Sequence, residues 1–131
     1  MPLLRTAILL LTLLLTACTP GSPALSSQTQ TVDGLTITLE ATAAPRINDR
    51  QLFTVLLSDA QGQPVVADDV YLDFDMPAMP MGTNRPIAEA AAPGRYTAVT
   101  VYTMSGDWTI DVVVTWAGTE YRAQFTMLVS E

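Results

Sequence analysis

The residues whose chemistry stands out lie in one stretch, Met76-Pro77-Ala78-Met79-Pro80-Met81-Gly82, where three methionines and two prolines share seven positions. A thioether is neutral, polarizable and carried on a flexible stem. Soft sulfur donors of this kind select Cu(I) over harder divalent ions. The prolines forbid a helix, push the residues before them toward extended backbone and donate no backbone hydrogen bond. The stretch is therefore expected to be an extended, stiffened loop or edge rather than a central strand. Two readings follow. In one, Met76, Met79 and Met81 are ligands of a Cu(I) site. In the other, methionine plugs an irregular gap at one end of a β-sandwich core.

The rest of the chain narrows the chemistry. Its 131 residues suffice for one domain. Histidine is absent, which removes Ser-His and Cys-His catalysis, the usual zinc sites and the imidazole that Cu(II) sites commonly need. No suggestive arrangement of carboxylates takes its place, and no enzymatic activity is expected. Six arginines and no lysine stand against 13 acidic residues, for a net charge of −7. That balance argues against a nucleic-acid partner, which requires a basic face.

Elements that would place the methionines begin at the N-terminus. Arg5 supplies a positive start and Ala7–Leu15 an apolar run too short to span a membrane, the pattern of a secretory signal. It ends Leu15-Thr16-Ala17-Cys18, which resembles the bacterial lipobox, and Cys18 is the only cysteine. This reading makes residues 1–17 a lipoprotein signal peptide and Cys18 the lipidated residue. Cleavage there leaves 131 − 17 = 114 residues, extracytoplasmic and held to a bacterial membrane, in the periplasm or at the outer cell surface, by acyl chains rather than by a spanning helix. Thr19–Thr31 is rich in Pro, Ser, Thr and Gln and reads as a flexible tether, so 18–31 is expected to be lipidated cysteine and linker.

From residue 32 to 131 the pattern is alternating, with turn residues between apolar runs. Leu35, Ile37 and Leu39 alternate with polar neighbours, and Leu52–Ser58 is nearly continuous in its apolarity. Val70, Leu72 and Phe74 alternate with Tyr71, Asp73 and Asp75, which places Met76 inward by parity. Ile87–Ala92 is a weak strand, and Arg95–Met104, Trp108–Ala117 and Glu120–Val129 are stronger ones. About seven short strands with no helix predict an all-β, immunoglobulin-like antiparallel β-sandwich. Trp108, Ile110, Val112 and Val114 fall on one face and are expected in the core.

Several of these residues carry a family resemblance. Gln61-Gly62-Gln63-Pro64-Val65, Val70–Asp75, the methionine stretch, Pro93-Gly94-Arg95-Tyr96 and Met104-Ser105-Gly106-Asp107-Trp108 together resemble the YtkA-like domain over about Leu35–Val114. That family is a small extracytoplasmic β-sandwich, also found near copper-handling and cytochrome oxidase assembly proteins. The resemblance implies a site of Met76, Met79, Met81, Met104 and Trp108, formed where two methionine-bearing turns meet at one end of the sandwich. Trp108 would cap a bound Cu(I) from its ring face. It also implies a copper-handling or membrane-complex protein as partner.

Two other features carry less chemistry. Asp68, Asp69, Asp73 and Asp75 offer carboxylates to Ca²⁺ but lack EF-hand spacing, and read more simply as a solvated acidic face. Tyr71, Tyr96, Tyr102 and Tyr121 would form a stacking platform if exposed; half-buried face residues are the plainer expectation. The sequence thus supports a lipid-anchored, non-catalytic Cu(I)-binding sandwich. The alternative is a metal-free structural or protein-interaction module of the cell envelope.

Overall fold

The computed structural model describes residues 20–80 and 82–131. Alternation decides its layers. Leu35, Ile37, Leu39 and Ala41 are buried, and the residues between them are only partly covered. The same period runs through Val70, Leu72, Phe74 and Met76, and through Trp108, Ile110, Val112 and Val114. Such side chains can be buried together only if two sheets stack face to face.

Eight strands do this: β1 (Leu25–Val32), β2 (Leu35–Thr42), β3 (Arg50–Ser58), β4 (Asp69–Asp75), β5 (Glu89–Ala92), β6 (Arg95–Val101), β7 (Gly106–Trp116) and β8 (Thr119–Val129). One sheet has the order β1-β2-β3-β6-β5 and the other β4-β7-β8. All neighbouring strands are antiparallel. With β1 set aside, β2-β3-β6-β5 and β4-β7-β8 stand in the A-B-E-D and C-F-G orders of an immunoglobulin constant-type sandwich.

β1 is the eighth strand, and it corrects the expected tether. Residues 25–31 are not linker; they pair with β2 in register from Leu25↔Thr42 to Val32↔Leu35. Their polar composition hid them because an edge strand needs no apolar alternation when backbone pairing holds it. Gln28 Nε2 donates to the Thr126 carbonyl at 2.9 Å, and Gln30 Nε2 donates to the Gln124 carbonyl. These amides close one side of the sandwich against β8. On the other side, the free edge of β4 is covered by residues 84–88, with Leu72 N–H donating to Pro86 O and Phe74 N–H to Asn84 O, each at 3.0 Å. Smaller differences concern boundaries: β6 stops at Val101, and Gly106 and Asp107, expected in a turn, begin β7.

One end of the sandwich collects the features of interest. Ala43 N–H donates to Ala24 O, Ile47 N–H to Ser130 O and Asn48 N–H to Tyr102 O. The entry of the chain into β1, the 43–49 loop, the 102–105 loop and the end of β8 therefore lie together, beside the C-terminal end of β4 where the methionine stretch begins. We call this the methionine end. Beneath it Phe53, Phe74, Tyr102 and Trp108 pack edge to face, with centroids 5.1–6.0 Å apart.

Tyr96 and Tyr102 are buried, so the four tyrosines form no exposed platform. Among the described residues the Tyr102 hydroxyl has no hydrogen-bond partner, and burial pushes its phenol well above the ordinary value. Tyr102→Phe is expected to raise unfolding free energy by about 1 kcal/mol at neutral pH, since an unpaired buried hydroxyl costs roughly that much. A proton held more tightly in the folded state gives stability fully present below the unfolded-state pKa, about 10. It is lost as pH rises from there toward the raised folded value. Chemical denaturation across alkaline pH should show this loss in the parent and a smaller one in the variant.

Candidate metal centre

Met76 follows the last β4–β7 pair, Asp75↔Thr109, and so stands level with Trp108. Its side chain points inward as parity requires, and it is 7% exposed. Its methyl group lies against Gly106, where an added Cβ would sit 2.6 Å from Met76 Cε. Gly106 also has a φ of 126°, a conformation that side chains resist. Absence of a side chain there is what lets Met76 lie over the start of β7.

Met104 occupies the 102–105 loop, half-buried against the core. Its carbonyl accepts the Trp108 indole N–H at 3.0 Å, which ties the loop to the floor beneath it. The structure thus brings Met76, Met104 and Trp108 to one end, as the two-turn expectation required. Trp108 is 1% exposed, with its N–H committed to Met104 and its ring edge-to-face with Tyr102. It is a core residue that also positions a methionine loop.

Met79 lies outside this buried set and is 53% exposed. Its N–H donates to Met76 O at 2.9 Å, closing a turn with Pro77 in the second position, where its fixed φ fits. The stretch is therefore a tight turn at its start rather than extended throughout. Met81 lies outside the described residues, as do Cys18 and the signal sequence at 1–17.

One thioether escaped the sequence reading. Met127 pairs with Trp108 across β7 and β8 and is 7% exposed. On the inner face of the three-stranded sheet, Met76 just past the end of β4, Trp108 on β7 and Met127 on β8 stand in one row. The signal was present in the two-residue turn Ala117-Gly118: it sets Trp116↔Thr119, and counting back along both strands reaches Trp108↔Met127.

A second concavity lies on the outer face of the same sheet, a polar cleft of about 260 Å³ walled by Asp73, Asp75, Asp111, Arg85, Thr109 and Gln124. Its carboxylates are largely committed. Asp73 pairs with Arg85 at 3.0 Å, and Asp111 with Arg122 and Gln124, each at 2.9 Å. The hydrogen bond to Asp111 holds the Arg122 guanidinium charged more firmly than usual. Among the described residues no three His, Cys, Asp or Glu side chains are grouped to hold a metal ion.

Among curated proteins, no relative matches the chain. Two solved structures share its fold. A DUF4785 family protein from Legionella pneumophila superposes with a TM-score of 0.55 at 10% identity, covering 76% of this chain and 29% of the other. A bromine derivative of BhCBM56 superposes with a TM-score of 0.50 at 12% identity, covering 76% of this chain and 97% of the other. The chain thus spans less than a third of the Legionella protein's length. These likenesses concern the sandwich alone. Its sequence is more telling: residues 29–113 match the YtkA-like family model, the span that holds β2 to β6, the methionine turn, Met104 and Trp108, and this chain belongs to the YtkA-like family.

Proposed function

We propose that this protein is a lipid-anchored, extracytoplasmic, non-catalytic sandwich that binds Cu(I) through thioethers gathered at its methionine end, in copper handling or oxidase assembly. The observation that supports this reading most is the gathering itself. Met76 and Met127 flank Trp108 in one row, and Met104 is tied above it by the indole N–H. Met79 stands at the solvent edge of the same end, and Met81 is two residues further along the stretch. In this reading Met79 and Met81 capture the ion from a partner, and Met104 and Met76 complete a soft, neutral ligand set. The indole of Trp108 limits water and gives the cation an aromatic neighbour. Absence of histidine leaves the site with no ligand that favours Cu(II).

Anaerobic Cu(I) titration of the full chain in detergent, against a competing colorimetric chelator, tests this. One ion per chain is expected, with affinity falling by at least about tenfold, or 1.4 kcal/mol, in a Met79→Leu/Met81→Leu variant whose unfolding midpoint is unchanged. If the protein fails to compete at all, its methionines are core and contact residues of a metal-free interaction module.

A further inference from the structure

Among the described residues, eight large apolar side chains are exposed: Leu25, Leu52, Val66, Met79, Ile87, Val99, Val101 and Leu128. Their distribution is uneven. Leu52 and Val99 are directly paired, and Val101 pairs with Arg50 at the end of the same two strands. Leu25 pairs with Thr42, and continuing the β2–β3 register by two residues brings Thr42 beside Leu52. Leu25, Thr42, Leu52 and Val99 thus cross four adjacent strands on the outer face of the larger sheet. Leu128 pairs with Asp107 at the start of β7 on the opposite sheet, and Met79 lies in the end turn. Six of the eight therefore ring the methionine end; only Val66 and Ile87 lie elsewhere.

The chain also enters at this end. Leu25 opens β1, and residues 19–24 are all that separate it from Cys18. Six residues reach at most about 20 Å when fully extended. With an acylated Cys18 as anchor, the methionine end is the part of the domain held nearest the bilayer. Arg46 and Arg50 also lie there, suited to lipid phosphates. Asp33, Asp59, Asp68, Asp69 and Glu120 lie toward the other end. The acidic groups Asp49, Asp75, Asp107 and Glu131 share the methionine end and limit contact to headgroup depth.

We propose that the methionine end is a membrane-docking surface: the ring of Leu25, Leu52, Val99, Val101, Met79 and Leu128 lies on the lipid headgroups, so that the candidate copper ligands face the bilayer. Exposed apolar side chains gathered at one end are the mark of such a surface. The proposal rests on the anchor reading but not on copper binding. It implies that any ligand of this end is exchanged with a membrane-embedded partner.

The test uses the full chain, processed in cells and reconstituted into vesicles of phosphatidylethanolamine and phosphatidylglycerol. An environment-sensitive dye is placed on Val101→Cys, Leu128→Cys and Thr119→Cys in separate samples, with spin-labelled lipid as quencher. Quenching several-fold stronger at Val101→Cys and Leu128→Cys than at Thr119→Cys, which lies at the opposite end, is the expected result. Vesicles that carry the protein on flotation but quench all three positions equally overturn the docking surface and leave the anchor standing. Protein that does not float, or whose Cys18 takes up the dye, overturns the anchor and the docking surface together.

Discussion

Trp108→Ala is expected to lower the unfolding free energy by about 3–5 kcal/mol, the cost typical of deleting a fully buried indole. The residue is 1% exposed and packs edge to face with Tyr102 at 5.3 Å. Truncation removes that contact, opens a cavity between Met76 and Met127, and leaves the Met104 carbonyl without the indole N–H that it accepts at 3.0 Å. Trp108→Phe separates these effects. It restores most of the ring volume while still releasing the Met104 loop, so its stability loss should be well under that of the alanine variant. Its Cu(I) affinity should nevertheless fall, because the loop that carries Met104 is no longer tied by the indole N–H. Urea unfolding followed by circular dichroism measures the first, and chelator competition the second. A tryptophan that served only as an exposed cap would give a small stability loss in both variants.

Gly94→Ala is expected to cost about 2–5 kcal/mol, for a different reason. Gly94 has a φ of 71°, and an added Cβ would lie 2.8 Å from both the Leu57 carbonyl oxygen and Pro64 Cβ. Left-handed backbone alone costs a side-chain-bearing residue about 1–2 kcal/mol, and overpacking against structure that cannot yield adds about 1–3 kcal/mol. The carbonyl of Gly94 accepts the Leu57 N–H at 2.8 Å, and Val65 N–H reaches the Leu57 carbonyl at 3.1 Å. Moving the β5–β6 turn aside would thus break the seam that joins it to β3 and to Pro64. Gly34→Ala is the control: its φ is 84°, yet no atom lies within 4 Å of an added Cβ. Thermal unfolding should show only the backbone cost for Gly34→Ala and the larger loss for Gly94→Ala.

Sequence pattern was enough wherever one face of a strand is buried. The inward parity of Met76, the core face of Trp108 through Val114 and the two-sheet sandwich all follow from period-two burial, because a slip of one residue would turn each apolar set to solvent. It was not enough at β1, where neither face is deeply buried. What holds β1 is backbone pairing with β2, which shows in no apolar alternation, and two glutamine amides whose partners on β8 lie more than 90 residues away in the chain. Tyr96 and Tyr102 are buried more deeply than the half-buried face positions expected of them, and they share that inward parity with Ala98. Among the candidate site residues, Met76 was legible from type and spacing, and Met104 and Trp108 only through the family resemblance. Met127 became visible only through register, since an isolated methionine in an alternating strand looks like ordinary core.

The most direct test of a thioether copper site is nuclear magnetic resonance of the protein with ¹³C-methyl methionine, titrated anaerobically with Cu(I). The methyl signals of Met79, Met81, Met104 and Met76 should move together and stop at one equivalent, with Met127 following if the row around Trp108 takes part. Methyl signals that stay in place, or that drift without saturation, would contradict a built site and leave the methionine end as a core plug beneath an apolar contact surface.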